Sequence, residues 1–193
     1  EVFSKGADQI VEVGVWLGRS LTVLSAIAKA HNRWITGIDP YESDVVMLND
    51  PKVLFQQANR NIVAAGVAGF ADILREKSLD VAPTMARSTY LSGKRSLVGL
   101  VFIDGDHSPY QAFYDLCVWA PIVMPGGYVV VHDAHNLSKE VAYDAAVWFS
   151  LQGSEWSWTQ DGKNPAPNAD WASREKELFV FKKDASLPKE GVC

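Results

Sequence analysis

The segment VFIDGDHSPY, residues 101–110, passes directly from three apolar residues to ionisable ones. Asp104, Asp106 and His107 follow an apolar run that predicts a buried strand, where charged groups are costly unless solvent or a partner compensates them. Carboxylates serve as general bases and as ligands of divalent metals, and an unperturbed imidazole titrates near neutral pH. The segment therefore predicts a polar turn, a metal site or a catalytic edge.

A second segment with chemical potential is EVGVWLGRS, residues 12–20. Gly14 allows a tight turn after a strand, Gly18 allows close approach of the backbone, and Ser20 can cap a helix while contacting a ligand. The spacing of the glycines is not the G-x-G-x-x-G pattern that receives a pyrophosphate. Glu12 would repel a phosphate but attract an ammonium group. The loop predicts a nucleotide-like ligand, with an unliganded glycine turn as the alternative.

Asp39, in the segment ITGIDP, ends a second predicted strand. An acid at this place can accept hydrogen bonds from both hydroxyls of a ribose. Asp-Pro is also a common turn, so the prediction depends on its pairing with the glycine loop.

These residues lie where predicted strands end. Apolar, β-rich runs alternate with helical periodicity, which predicts strands at 9–14, 33–39, 70–76, 97–104 and 128–133 and helices at 20–31, 51–66, 109–123 and 138–152. A weaker helix at 78–88 is expected to break at Pro83, and the PGG sequence at 125–127 to form a turn. The segments 155–160 and 176–183 read as an antiparallel pair of strands.

Five strand–helix units of this kind predict an α/β, doubly wound sheet that is mostly parallel, with a C-terminal antiparallel hairpin. Ligands of such sheets bind outside the carboxyl ends of the strands, near the point where the strand order reverses. The chain of 193 residues fits one domain, residues 1–193.

Composition excludes several classes of function. The formal net charge is -5, and no Lys/Arg cluster could follow a nucleic-acid backbone. No apolar run is long enough for a membrane span, and a cytoplasmic location is the simplest expectation. Cys117 is expected to fill the core, and the two cysteines to form no disulfide framework. The sequence leaves open whether the protein forms a homo-oligomer.

Together, the segments VEVGVWLGRS, ITGIDP and 101–133 resemble the class I S-adenosylmethionine-dependent methyltransferases. The resemblance is closer to a bacterial branch with I-D-G-D-H after the fourth strand, and it covers residues 9 to about 150. It implies a seven-stranded, Rossmann-like sheet in a single methyltransferase domain, with an N-terminal cap that is short or missing by comparison with the family. It also implies that the glycine loop lies beside the methionine part of the cofactor, that Asp39 binds the ribose, and that Lys77 and Ser78 lie along the adenine.

The resemblance also divides the first segment by role. It implies that Asp104 faces the cofactor or a divalent metal, and that Asp106 and His107 face the methyl acceptor. His107 is the better candidate for the base, because Asp106 would need a raised pKa or a metal-bound acceptor. The alternative for His107 is a supporting contact at the start of the next helix.

A metal site is a further expectation at the same edge. Asp104 and Asp133 end neighbouring strands, with His132, His135 or Asn136 nearby. Two carboxylates with an amide oxygen or waters suit Mg²⁺, whereas the imidazoles suit Zn²⁺ or Mn²⁺. Alternatively, Asp133 only hydrogen-bonds its own loop.

The predicted function is methyl transfer from S-adenosylmethionine to a hydroxyl of a small molecule, such as a sugar or a natural product, with a divalent metal as an optional aid. The alternatives are an NAD-type oxidoreductase, which the missing G-x-G-x-x-G disfavours, and a non-catalytic cofactor-binding module. Acceptor specificity lies in loops 41–50, 105–110 and 160–175, which carry no readable code. Most of the tryptophans at 148, 156, 158 and 171 are expected to pack in the core or hairpin, with Trp171 the best candidate for an acceptor contact.

Overall fold

The computed structural model describes residues 2–42, 50–91, 98–132, 156–158 and 178–184. The strands are β1 (Gln9–Val13), β2 (Trp34–Ile38), β3 (Ala71–Leu74), β4 (Val98–Ile103), β5 (Val123–His132), β6 (Trp156–Trp158) and β7 (Leu178–Lys183). The α-helices are α1 (Arg19–Ala30), α2 (Pro51–Ala64), α3 (Ser78–Leu91) and α4 (Pro109–Trp119). Short 3-10 helices span Phe3–Lys5, Ala68–Phe70 and Ala120–Ile122.

The strands form one mixed sheet in the order β3-β2-β1-β4-β5-β7-β6. Strands β1 to β5 pair in parallel, whereas β7 runs antiparallel to both β5 and β6. The strand order reverses between β1 and β4, which is where an open α/β sheet leaves a crevice for ligands. The predicted α/β class, the doubly wound parallel core and the C-terminal antiparallel hairpin are confirmed.

Successive side chains of a strand point to opposite faces of the sheet, so the strands contribute to two apolar cores, one on each face. On β1, Ile10 joins the cluster under α1 and α2, whereas Val11 and Val13 join the cluster under α3 and α4. Buried Trp156 on β6 extends the second cluster, as the sequence predicts for a hairpin tryptophan. The sheet is therefore covered on both faces, and its strand ends are the edge left for a site.

Helix α2 follows the sequence signals closely. The Asp50 side chain accepts the backbone N–H of Lys52, Pro51 occupies the first turn, and Gly66 adopts a φ of 68° just beyond the helix. Asx capping, proline at the start and a left-handed glycine at the end each satisfy or remove exposed backbone groups.

Two local predictions are wrong, the first because of packing and the second because of backbone geometry. Helix α3 continues through Pro83, which lies on its exposed side. The PGG sequence at 125–127 lies inside β5 instead of forming a turn, because the strand absorbs it as a register irregularity opposite β4. A Cβ on Gly127 would lie 2.8 Å from the Gly99 carbonyl oxygen, so the bulge depends on glycine.

The expectation that the two cysteines form no disulfide is also wrong. Cys117 on α4 is half-buried and disulfide-bonded. The predicted helix at 138–152 and the tryptophans at 148 and 171 lie outside the described residues. None of the helices within the described ranges combines the length and apolarity that a membrane crossing requires.

Candidate active site

The carboxyl ends of β2, β1, β4 and β5 lie side by side and bring the predicted acidic residues to one edge of the sheet. Register pairs Val13 with both Ile38 and Ile103, so the loops after these strands start at the same level. Their proximity follows from parallel pairing alone. The residues that follow each strand must therefore share one site.

Gly14, in the loop after β1, packs against the backbone of Asp104, the residue that follows β4. Its φ is 86°, and a Cβ there would lie 2.2 Å from the Asp104 carbonyl oxygen. The Asp104 N–H donates to the Val13 carbonyl at 2.7 Å. Only glycine permits this approach, which confirms that residue 14 needs glycine for a tight backbone contact.

Asp39 holds the glycine loop by its backbone. Its Oδ2 accepts the N–H groups of Val15 and Trp16 at 2.9 and 2.8 Å, and its Oδ1 accepts the Tyr41 N–H at 2.8 Å. A carboxylate offers about four acceptor positions. Three are occupied, so about one is left for the ribose contact that the resemblance implies, and that contact stays a prediction.

Trp16 is a candidate that sequence reasoning missed. It adopts a φ of 47° and its side chain is 58% exposed. The Tyr41 hydroxyl donates to its carbonyl at 3.0 Å and helps to hold it there. Left-handed backbone is strained for a residue with a Cβ, and such strain is typical of ligand-contacting loops. The signal available in the sequence was a large aromatic residue between two loop glycines.

Glu12 is fully buried beneath this loop, at 0% exposure. Ser20 Oγ donates to Glu12 Oε1 at 2.5 Å, whereas Oε2 has no hydrogen-bond partner among the described residues. Desolvation by burial raises the pKa of Glu12 to about 8, and the nearby charges of Asp104 and Asp39 act in the same direction. Ser20 therefore binds Glu12 instead of capping α1, and Gly18, with a φ of 76°, is the N-cap residue.

One carboxylate oxygen of Asp104 lies close to two imidazole rings. His132 Nδ1 lies 2.8 Å from Asp104 Oδ1, and His107 Nε2 lies 3.5 Å from the same atom. All three side chains keep about a quarter of their surface exposed. The structure thus brings together an acid and two imidazoles that come from the ends of β4 and β5 and from the β4–α4 loop.

Asp106 faces solvent and performs a local task. Its Oδ1 accepts the Ser108 N–H at 2.8 Å, immediately before α4 begins with Pro109. This bond stabilises the turn into the helix. Of the two predicted bases, Asp106 is therefore occupied by the turn, whereas His107 lies beside Asp104.

The predicted adenine-side residues Lys77 and Ser78 are consecutive, but their side chains make separate contacts. Lys77 Nζ forms an exposed ion pair with Glu42 at 3.1 Å. Ser78 is buried, and its hydroxyl donates to the carboxylate of Asp115 on α4. No contact of either residue tests the predicted adenine role.

Asp115 is the second residue that sequence reasoning missed. It is 1% exposed, and burial raises its pKa to about 6. Gln111 Nε2 also donates to it at 3.3 Å, and a Cβ on Gly105 would lie 4.0 Å from its Oδ2. The sequence signal was one acid at the helical spacing of Ala112, Leu116 and Trp119, which form the buried face of α4.

Within the described residues, no group of three or more metal-binding side chains is placed to hold an ion. Asp133, His135 and Asn136 lie outside the described residues. The predicted ligand pair Asp104 and Asp133 thus stays a prediction.

The chain matches the family model of a methyltransferase domain over residues 11–134, which is more than half of its length. No curated protein matches it.

Solved structures of methyltransferases share its fold. The O-methyltransferase TomG of Streptomyces achromogenes, in complex with S-adenosylmethionine and involved in tomaymycin synthesis, is 17% identical with a TM-score of 0.65, covering 94% of this chain and 75% of that one. An O-methyltransferase from Bacillus cereus, in complex with S-adenosylhomocysteine, is 16% identical with a TM-score of 0.59, covering 95% and 76%. The calicheamicin methyltransferase CalS11 is 15% identical with a TM-score of 0.61, covering 94% and 74%.

At this identity the solved structures establish the fold, and the family model establishes the relationship. The chain therefore belongs to the family of methyltransferase domains.

Proposed function

We propose that the protein transfers the methyl group of S-adenosylmethionine to a hydroxyl oxygen of a small molecule, such as a sugar or a natural product. The observation that carries the proposal is the contact of Asp104 with two imidazoles, next to the glycine loop of a methyltransferase domain. Two structural neighbours are O-methyltransferases by name and a third is a calicheamicin methyltransferase, which supports an oxygen acceptor. The oxidoreductase alternative has no support from these comparisons.

The charges at the edge fit a cationic cofactor. Glu12, Asp39 and Asp104 lie together, and within the described residues no lysine or arginine forms an ion pair with them. S-Adenosylmethionine carries an ammonium and a sulfonium, and it supplies a methyl group already activated for displacement. We assign its binding to Glu12, Gly14, Gly18, Ser20, Asp39, Lys77, Ser78 and Asp104.

We assign the base to His107, with Asp106 as the alternative. A hydroxyl acceptor must lose one proton as the oxygen attacks, and an imidazole near neutral pH can take it. Asp104 Oδ1 lies 3.5 Å from Nε2, so the carboxylate charge would stabilise the imidazolium that forms. Asp106 is the weaker choice because it accepts the Ser108 N–H and lies in solvent.

Alignment supplies the rest of the catalysis. The acceptor oxygen, the methyl carbon and the sulfur must lie in line, and holding them there converts binding into rate. The contact of Gly14 with Asp104 fixes the cofactor loop against the loop that carries His107. The protein thus needs few catalytic groups.

Assistance of methyl transfer by a divalent metal stays a prediction. The described residues do not assemble three ligands, so no step is assigned to a metal. Activity measured before and after dialysis against EDTA decides the question. Loss of turnover that Mg²⁺ restores would support a metal, and full activity in EDTA would remove it while leaving methyl transfer intact.

The test of the proposal has a binding step and a turnover step. Calorimetry with S-adenosylhomocysteine is expected to show one site per chain. A panel of sugar and natural-product hydroxyls, incubated with S-adenosylmethionine, is then expected to give a product heavier by one CH₂ group in mass spectrometry. Absence of cofactor binding would contradict the proposal, and binding without turnover on the panel would favour the non-catalytic module.

A further inference from the structure

Glu12 is a buried acid with no cationic side chain paired to it among the described residues. Among the described residues, Ser20 is the only side chain that hydrogen-bonds to Glu12, and Glu12 Oε2 lacks a partner. A carboxylate with 0% exposure is strongly disfavoured unless a cation or several donors compensate it. The group must therefore hold a proton or have a cationic partner.

The groups around Glu12 come from every element packed on it, and two of them are acids. Asp39 at the end of β2 and Asp104 at the end of β4 both oppose its ionisation. On α1, the Ser20 hydroxyl and the Leu21 N–H favour its ionisation, as the positive end of a helix does. The Tyr41 hydroxyl also interacts with Glu12: burial raises the pKa of Tyr41, and the charges of Asp39 and Glu12 act in the same direction.

Ser20 connects the buried acid to the edge where a ligand binds. The serine lies at the second position of α1 and is half-buried, whereas Glu12 is enclosed. Because the Ser20 proton is donated to Glu12, its oxygen is left to accept from a ligand. A ligand ammonium that donates to Ser20 would place positive charge within a few ångströms of Glu12.

We propose that Glu12 is a positioning residue that exchanges its proton for the cofactor's ammonium, so that cofactor binding is coupled to release of a proton to the buffer. This inference rests on the proposed function, since it takes the ligand to be the amino-acid part of S-adenosylmethionine. The proton leaves the Glu12 carboxyl, and the carboxylate that remains faces the ammonium through Ser20. No other reactant is needed.

The pKa of about 8 gives the coupling its pH range. At pH 7 the acid is about nine-tenths protonated, and a nearby cation stabilises the charged form. Binding at pH 7 is therefore expected to release close to one proton. Affinity for the cofactor should rise by up to about tenfold per pH unit between pH 6 and 8 and level off above that.

Titration calorimetry in phosphate and in Tris tests the proposal at pH 7.0. These buffers differ in ionisation enthalpy, so the difference in observed heat gives the protons released. S-Adenosylhomocysteine is expected to release between about 0.5 and 1 proton from the wild-type protein. 5′-Methylthioadenosine, which lacks the amino-acid part, is expected to release less than about 0.2.

Two variants separate Glu12 from other acids. Glu12→Gln keeps the shape of the side chain and the Ser20 contact. This variant should bind S-adenosylhomocysteine and release no more protons than the wild type releases with 5′-methylthioadenosine. Asp115→Asn removes another buried acid, whose pKa of about 6 leaves it mostly ionised at pH 7, so release should match the wild type.

The outcomes are distinguishable. No binding of either ligand would contradict the proposed function. Binding without proton release, or equal release from Glu12→Gln, would overturn the inference and leave the function standing. If Glu12→Gln does not fold, the wild-type comparison of the two ligands still decides, because equal release by both would also overturn it.

Discussion

At the scale of single residues, burial assigns the acids different tasks. Asp106 is exposed and holds a turn, Asp104 is partly buried and meets two imidazoles, and Glu12 and Asp115 are enclosed. Sequence reasoning placed Glu12, Asp104 and Asp106 at strand ends, because such positions can be counted. Sequence reasoning could not predict which of these acids is buried and which is exposed, since the solvation of each depends on the elements that cover it.

His107 and Asp106 make opposite predictions for catalysis. His107→Asn should lower kcat by about 10²- to 10⁴-fold, because it removes the proposed base. Asp106→Asn should change kcat by less than about tenfold, since the amide oxygen can still accept the Ser108 N–H. The measurement is kcat in methyl-transfer assays, with the Kd of S-adenosylhomocysteine as a control that both variants should leave nearly unchanged. The opposite ranking would move the base to Asp106.

Glu12 also makes a prediction for stability. Its folded-state pKa of about 8 lies above the ordinary 4.5, so the folded protein keeps a proton that the unfolded chain releases. The free energy of unfolding therefore falls as pH rises from about 4.5 to about 8. Glu12→Gln should remove this slope, gaining roughly 2–4 kcal/mol relative to the wild type between pH 5 and pH 8.

Urea denaturation at pH 5 and pH 8 measures this difference directly. Asp115 has a raised pKa as well, of about 6, so a smaller slope should persist in Glu12→Gln below that pH. Parallel pH profiles of variant and wild type would show that Glu12 ionises normally.

At the scale of elements, the strands were predictable and their junctions were not. The apolar run of β4 follows from its position between β1 and β5, where both faces are buried. The expectation that Ser20 caps α1 was wrong. Capping is a local preference, whereas the hydrogen bond from Ser20 to buried Glu12 depends on the tertiary structure. Continuation of α3 through Pro83 is likewise decided by packing, since buried Val81 and Ala82 hold the helix on the sheet.

The contact between the loops after β1 and β4 predicts a large loss of stability when Gly14 is replaced. Gly14→Ala should destabilise the protein by about 3 kcal/mol or more, because its φ of 86° is strained for alanine and the Cβ would meet the Asp104 backbone. Gly69→Ala is the matched control, since nothing lies within 4 Å of its Cβ position, and it should change stability by less than about 0.5 kcal/mol. Equal denaturation midpoints for the two variants would contradict the close contact.

At the scale of the whole molecule, the doubly wound topology places ligand chemistry at one edge. Composition and periodicity gave the class of sheet, and the motifs in combination gave the family. The acceptor could not be predicted, because its contacts depend on loop shape. Asp115 could not be assigned either, because its partner Ser78 is distant in sequence.

Ligand binding across this edge should stabilise the whole domain. S-Adenosylhomocysteine at 100 times its Kd is expected to add about 2.7 kcal/mol to the free energy of unfolding. Thermal unfolding followed by circular dichroism measures the increase, and adenine at the same concentration serves as the control. No shift in midpoint at saturating ligand would show that the ligand does not bind the folded form selectively.

The contact between Gly14 and the Asp104 carbonyl has a consequence for how such a protein can diversify. Because the two strand–loop junctions meet through backbone atoms, their spacing is independent of the side chains beyond them. Residues after His107 can then vary with the acceptor while the cofactor loop keeps its geometry. A seam of this kind lets a lineage acquire new acceptors by exchanging one loop, and it offers protein engineers the same point of exchange.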